Sequence, residues 1–102
     1  MKRVLLTLAA VAAATVAAPA LANEAMAKAK GCLACHTVDK KLVGPAYKEI
    51  SKKYAGDAKA NDTLVHKVLK GGSGVWGPVP MTPNKITEAE AKQLVTWILS
   101  LK

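Results

Sequence analysis

The sequence predicts an all-α fold with about four short helices and two long irregular loops. Four segments place apolar residues at helical spacing, and caps or glycine stops bound them. No segment after residue 22 alternates apolar and polar residues as a half-buried strand does. The two loops, residues 37–45 and 71–86, are long for so small a domain, and loops of this length are usually functional.

The first two predicted helices lie on either side of the first loop. Residues 24–30 form a short alanine-rich segment that Gly31 stops. Residues 46–54 place apolar side chains at positions i, i+3 and i+7, and Gly56 follows their end. Both segments therefore have one apolar face to bury.

The other two predicted helices lie on either side of the second loop. The third covers residues 63–70, with Asp62 as its N-cap and a glycine pair after its end. The fourth is the longest. It opens on a capping box formed by Thr87 and Glu90 and continues to about Leu101.

The N-terminal residues 1–22 have the features of a secretory signal peptide. Lys2 and Arg3 precede an apolar run, and a small-x-small site ends at Ala22, where cleavage is expected. The run is rich in alanine and stops at Pro19, so it is too weakly hydrophobic for a permanent membrane anchor. The sequence therefore predicts export, to the periplasm, of a single domain formed by residues 23–102.

This domain is short of large apolar side chains for its core. The chain has no phenylalanine, two tyrosines and two tryptophans. Domains of this size bury a small share of their surface and often need a disulfide, a metal or a cofactor for stability. We therefore expect a cofactor or a crosslink to complete the core.

The charge of the chain favours an acidic protein partner over nucleic acid. The formal net charge is +8, and Arg3 in the predicted leader is the only arginine, so the exported domain carries its positive charge on scattered lysines. Recognition of phosphates and bases favours the planar fork of arginine. Lysines on a solvated surface attract acidic proteins instead.

Residues 31–36 read GCLACH and contain a C-x-x-C-H motif. The spacing puts Cys32 and Cys35 one helical turn apart on one face, and His36 follows directly. Two thiols beside an imidazole suit a flat macrocycle, because the sulfur atoms bind its vinyl edge while the imidazole reaches its iron. This is the attachment signature of c-type haem. It predicts one covalently attached haem c per chain, with Cys32 and Cys35 as the thioethers and His36 as an axial ligand.

Three other interpretations compete for the same side chains. A structural disulfide is compatible with an exported chain. A thioredoxin-like redox pair needs a preceding strand in a βαβ unit, and this sequence has no such pattern. A zinc site needs four ligands, for which His66 is the remaining histidine. The haem interpretation also accounts for the shortage of large core side chains.

The second axial position of the iron has the candidate ligands Met26, His66 and Met81, or none. Met26 lies on the short helix that leads into the motif, so we expect it to pack within that helix. His66 lies off the apolar stripe of its helix and is expected at the surface. Met81 lies well beyond His36 in the stretch GVWGPVPMTPN, whose prolines restrict the backbone in advance. Met81 is therefore the predicted ligand, and Met/His ligation raises the haem potential.

Further residues are predicted to lie around the haem. Ligating histidines usually donate their second ring N–H to an oxygen atom, and the carbonyl groups at Gly44 and Pro45 are candidates. Trp76 carries one donor, its indole N–H, which can reach a haem propionate, and Lys67 can pair with a propionate. A plain core aromatic is the alternative for Trp76.

With these motifs in place, the chain resembles a small bacterial class I cytochrome c of the cytochrome c-551 type. The resemblance covers essentially all of residues 23–102. It depends on four blocks in a specific order and spacing, which read KGCLACH, LVGPAYKEI, GVWGPVPMTPN and TWILSLK. It implies the class I cytochrome c fold, with short helices and long loops wrapped around one covalent haem.

The resemblance also implies a role for individual residues. Cys32 and Cys35 would hold the haem, and His36 and Met81 would be the axial ligands of its iron. Three neighbours would support them. The Pro45 carbonyl would accept a hydrogen bond from His36, Trp76 would donate to an inner propionate, and Asn84 would form a hydrogen bond near the Met81 sulfur.

The function implied is electron transport without substrate turnover. A monomeric, soluble periplasmic carrier would shuttle single electrons as its iron cycles between Fe(II) and Fe(III). Acidic redox partners of the respiratory chain are expected, such as a quinol-oxidising complex, a nitrite reductase, a terminal oxidase or a haem peroxidase. Two alternatives stay open: a haem protein with an open sixth position that acts on peroxide or binds nitric oxide, and a disulfide protein without haem.

Overall fold

The structure is a computed structural model that describes residues 23–102, so the predicted leader, residues 1–22, lies outside the described residues. The described part contains four α-helices and a one-turn 3₁₀ helix at Cys32–Ala34. The α-helices are α1 (Glu24–Ala29), α2 (Tyr47–Lys53), α3 (Ala60–Lys70) and α4 (Glu88–Leu99). Within residues 23–102 there is no strand, only an isolated antiparallel bridge between Gly72 and Met81. The all-α prediction is confirmed.

Helix α1 begins and ends at residues whose chemistry explains its bounds. The side-chain oxygen of Asn23 accepts a hydrogen bond from the Met26 N–H at 3.1 Å, which satisfies one of the free donors of the first turn. Gly31 follows with a φ of 77°, a left-handed conformation that glycine adopts at little cost. The predicted stop at Gly31 is therefore confirmed.

The predicted start of α3 is wrong. The helix begins at Ala60, and its N-cap is Lys59, three residues before the predicted cap Asp62. The cause lies upstream, because the Asp57 carboxylate accepts a hydrogen bond from the Lys59 N–H at 2.8 Å and turns the chain earlier. Asp62 lies instead in the first turn, where its negative charge interacts favourably with the positive end of the helix dipole.

Helix α4 has the predicted capping box at its start. The Thr87 hydroxyl accepts from the Glu90 N–H at 3.1 Å, and the Glu90 carboxylate accepts from the Thr87 N–H at 3.0 Å. The helix ends at Leu99, two residues before the predicted end. The buried Ser51 hydroxyl is 3.0 Å from the Leu99 carbonyl oxygen and 2.7 Å from that of Leu101, and it binds the chain end in place of a further helical turn.

The hydrophobic core lies where α4 packs against α2 and α3, with Ala27 of α1 completing it. Leu94 and Val95 of α4 are the largest side chains that are fully buried. The core residues are Ala27, Tyr47, Ile50, Leu64, Val65, Ala91, Leu94, Val95 and Ile98. None of the helices in residues 23–102 is long and apolar enough to cross a bilayer.

An ion pair joins the first and last helices. The Lys30 ammonium lies 2.6 Å from the Glu90 carboxylate. This ammonium, together with the hydrogen bond from the Thr87 backbone N–H, lowers the pKa of Glu90 from its ordinary 4.5 to about 2. Because the folded state has the lower pKa, the ionised carboxylate stabilises the fold above pH 4.5. That stabilisation is lost as the pH falls from 4.5 towards 2.

We expect Glu90→Gln to make the free energy of unfolding less dependent on pH in this acid range. Glutamine keeps the capping box but loses the charge that pairs with Lys30. The free energy of unfolding of the haem-loaded protein, measured in urea between pH 7 and pH 2, should therefore converge with that of the variant as the pH falls. Glu88→Gln, which removes an exposed pair to Lys92, is the control and should run parallel to the unmodified protein. A constant difference between the Glu90→Gln variant and the unmodified protein at all pH values would contradict the assignment.

Candidate functional site

The two cysteines lie at the ends of the 3₁₀ turn. The Cys35 and His36 N–H groups both donate to the Cys32 carbonyl, at 3.2 and 3.0 Å. Residues three apart nearly eclipse each other in a 3₁₀ turn, so the two thiols share one edge. Both are free thiols, with Cys32 half-buried and Cys35 exposed. Burial raises the pKa of the Cys32 thiol.

The His36 imidazole is buried and oriented by the first loop. Its Nδ1 lies 2.7 Å from the Pro45 carbonyl oxygen. A carbonyl only accepts, so Nδ1 carries the proton and the lone pair lies on Nε2. The ring is therefore prepared to bind a metal through Nε2.

Two neighbours fix the plane of this imidazole. Gly44 lies directly against the ring, because a Cβ added there would be 2.5 Å from the His36 Cε1. Tyr47, the first residue of α2, stacks on the ring with centroids 5.1 Å apart and planes 19° from parallel. Burial also raises the pKa of the Tyr47 phenol. We did not predict either contact from the sequence, although the Gly-Pro step after C-x-x-C-H marks a place where backbone comes close to a side chain.

We expect Gly44→Ala to displace the His36 ring. The added methyl group has no room beside Cε1, and overpacking of this kind costs about 1–3 kcal/mol. The measurement is the free energy of unfolding together with the NMR signal of the Nδ1 proton, which should move as the hydrogen bond to Pro45 changes. An unchanged Nδ1 signal with unchanged stability would show that the ring does not depend on Gly44.

The backbone of Met81 is held by a pair of hydrogen bonds to the start of the same loop. The Gly72 N–H donates to the Met81 carbonyl at 3.0 Å, and the Met81 N–H donates to the Gly72 carbonyl at 2.8 Å. Gly71, with a φ of 74°, lies under this pair, since a Cβ there would be 2.3 Å from the Met81 carbonyl oxygen. The loop prolines thus act together with a backbone bridge that the sequence did not reveal.

Asn84 closes the base of this loop against α3. Its backbone N–H and its side-chain amide both donate to the Val68 carbonyl, at 3.1 and 3.0 Å. A weaker contact of 3.4 Å joins the same amide to the Thr82 carbonyl. Asn84 therefore fixes the position of the segment that carries Met81.

The remaining predicted residues lie around this loop or away from it. Trp76 is exposed in the loop, with the Lys53 ammonium 5.6 Å from the centre of its ring. The Lys67 side chain lies against Gly72. Met26 packs against the core, and His66 is exposed on α3. The structure thus brings Trp76 and Lys67 to the loop of Met81 and leaves Met26 and His66 elsewhere.

The residues present fit a covalently attached haem. Two thiols share one edge, a buried imidazole has Nε2 available, and a thioether lies in the second loop. Among residues 23–102, the large apolar side chains that are exposed all lie in these two loops, where they are available to an apolar group or a partner. They are Leu42, Val43, Val75, Trp76 and Val79. Within residues 23–102, no three His, Cys, Asp or Glu side chains meet to hold a metal ion, so the zinc interpretation gains no support.

Comparison with known proteins agrees with this fit. The cytochrome c family profile matches residues 17–102. Cytochrome c-552 of Hydrogenobacter thermophilus is 62% identical over 81 residues, which cover 79% of this chain and 83% of that protein. Cytochrome c-551 of Stutzerimonas stutzeri is 52% identical over 104 residues, which cover 100% of both chains.

A solved structure gives the same result. The wild-type cytochrome c552 of Nitrosomonas europaea superimposes with a TM-score of 0.76 at 48% identity, covering 78% of this chain and 100% of that one. The predicted class I cytochrome c fold is therefore confirmed. The chain belongs to the cytochrome c family, the electron carriers with covalently attached haem c.

Proposed function

We propose that this protein is a monomeric, soluble periplasmic electron carrier whose haem iron has His36 and Met81 as axial ligands. Cys32 and Cys35 would form the two thioether bonds to the haem. The observation that carries the proposal is that separate parts of the chain hold two residues of ligating chemistry, one by its side chain and the other by its backbone. His36 is held through Pro45, and the Met81 backbone is held through Gly72.

When bound, the haem supplies an iron that accepts and returns one electron by cycling between Fe(II) and Fe(III). The protein contributes the positions of the two ligands. The Nδ1 bond to Pro45 and the stacking on Tyr47 keep the imidazole in one orientation. A thioether is a weak neutral ligand, and the backbone bridge to Gly72 holds the chain that carries it. Ligands that stay in place in both oxidation states leave little rearrangement to oppose electron transfer.

Three residues would support the group from the second loop and α3. The indole N–H of Trp76 would donate to a propionate, and the Lys67 ammonium would pair with one. Asn84 is anchored on the Val68 carbonyl, and its second amide N–H, which makes only a weak contact with the Thr82 carbonyl, would turn to donate near the Met81 sulfur. Lys67 lies against Gly72 at the base of the loop, which places its charge beside the segment that holds Met81.

The partners would be acidic redox proteins, not nucleic acid. Leu42 and Val43 are about half exposed and follow Lys40 and Lys41 in the first loop, which leads on from the exposed Cys35. An apolar contact with lysines beside it suits weak, oriented and rapidly dissociating association. A quinol-oxidising complex, a nitrite reductase, a terminal oxidase or a haem peroxidase with an acidic docking face would meet these requirements.

The test is the rate of electron transfer to an acidic nitrite reductase as a function of ionic strength. We expect the second-order rate constant to fall as salt rises, because electrostatic steering is screened. Replacing Lys40 and Lys41 by glutamine should reduce the rate at low salt and flatten the salt dependence. Lys92→Gln, on α4 and paired with Glu88, is the control. A rate independent of salt, or equal losses in all variants, would contradict the docking face.

A further inference from the structure

The tip of the second loop, residues 73–80, has few polar contacts with the rest of residues 23–102. Its one backbone hydrogen bond is internal, from the Gly74 N–H to the Gly77 carbonyl at 2.9 Å. The bridge between Gly72 and Met81 closes the loop at its base, and the bond from the Asn84 N–H to the Val68 carbonyl joins that base to α3. Among the described residues, no hydrogen bond or ion pair joins this tip to a helix.

One cation–π contact does join the tip to α2. The Lys53 ammonium lies 5.6 Å from the centroid of the Trp76 ring, within the roughly 6 Å range of this interaction. Lys53 is the last residue of α2, and Tyr47, which stacks on His36, is the first. The contact therefore connects the helix that supports one proposed ligand with the loop that carries the other.

We propose that Lys53 is a positioning residue that holds Trp76, and with it the tip of the Met81 loop, against α2. The cation fixes the face of the indole ring and thereby the direction of its N–H. The contact would have two consequences. The first is an ordered loop tip, which depends only on the contact itself. The second is a fixed donor to a haem propionate, which rests on the function proposed above.

A substitution at the neighbouring Lys52 is the control that distinguishes this role from a general effect of charge. Lys52 and Lys53 both lie in the last turn of α2, where a cation interacts favourably with the negative end of the helix dipole. Both side chains are exposed. Only Lys53 lies over the Trp76 ring. Replacing either lysine by methionine removes the same charge and keeps an unbranched apolar stem. A difference between the two variants therefore reports the contact with Trp76.

The experiment is hydrogen exchange by NMR on the reduced, haem-loaded protein. It compares the unmodified chain with Lys53→Met, Lys53→Arg and Lys52→Met. We expect the Gly74 amide and the Trp76 indole N–H to exchange about two- to five-fold faster in Lys53→Met, the effect of losing an exposed cation–π contact. Lys53→Arg keeps a cation over the ring and should restore slow exchange, and Lys52→Met should have no effect. The Trp97 indole is the internal reference.

Two results would overturn the proposal. One is equal exchange in Lys53→Met and Lys52→Met. The other is fast exchange in Lys53→Arg as well as in Lys53→Met, since that would exclude the cation as the cause. Failure of the proposed propionate contact has a different signature, because the Trp76 indole would then exchange fast in every variant. The Gly74 amide would still report whether Lys53 orders the tip.

Discussion

Replacing Met81 by alanine should abolish the weak long-wavelength methionine–iron band of the oxidised protein and lower its midpoint potential. The band requires sulfur on the iron, and alanine offers no ligand atom. Axial ligands set haem potentials over roughly 0.8 V, and we expect a drop on the order of 0.1 V or more. Absorption spectroscopy and a redox titration measure the two effects.

Two control variants separate ligation from general damage. Met26→Ala removes the other described methionine, which packs against the core, and should cost stability while the band persists. His66→Ala changes an exposed side chain on α3 and should leave both the band and the potential unchanged. A band that survives in Met81→Ala, or disappears in either control, would show that the assignment of the sixth ligand is wrong.

Gly71→Ala should have the second large effect, because it affects the bridge that holds Met81. The added Cβ would lie 2.3 Å from the Met81 carbonyl oxygen, a backbone atom that cannot move without breaking its bond to Gly72. Gly56 is the control, because it also has a positive φ, 76°, and no atom lies within 4 Å of an added Cβ. Alanine at Gly71 is strained by the backbone itself, because a φ of 74° with a ψ of −167° is essentially restricted to glycine and costs other residues about 1–3 kcal/mol. Gly56→Ala reports the cost of a positive φ without a clash. Gly71→Ala should cost a further 1–3 kcal/mol, on the order of other overpacked sites.

The two glycine variants are compared by urea unfolding and by the methionine–iron band. Gly56→Ala should lose stability with the band intact. Gly71→Ala should lose more stability and also weaken or shift the band, since the ligand's own backbone is displaced. Equal losses of stability with an unchanged band would mean that the bridge between Gly72 and Met81 does not position the ligand.

Local features of this fold could be predicted from the sequence because their causes lie within a few residues. The Thr87 and Glu90 capping box and the stop at Gly31 each depend on neighbours within one turn. The C-x-x-C-H motif behaves in the same way, because its spacing alone puts two thiols on one edge. The start of α3 was predicted wrongly for a local reason, since the hydrogen bond from the Lys59 N–H to the Asp57 carboxylate turns the chain before Asp62.

Contacts between distant segments could not be predicted. The fit of Gly44 against the His36 ring, the bridge between Gly72 and Met81 and the contact of Lys53 with Trp76 depend on how the loops fold back on the helices. Glycine and lysine occur in many roles, so their identity alone does not reveal such contacts. Under the proposed ligation, these contacts would hold His36 and the segment of Met81 in a site of fixed shape.

The optical spectrum of the haem-loaded protein, purified from an expressing cell, oxidised and then reduced, is the most direct test of the central claim that one covalent haem c is ligated by His36 and Met81. We expect low-spin c-type bands that stay with the denatured polypeptide, together with the methionine–iron band in the oxidised form. High-spin bands in the native protein would contradict the proposed ligation, and a colourless protein would contradict haem attachment itself.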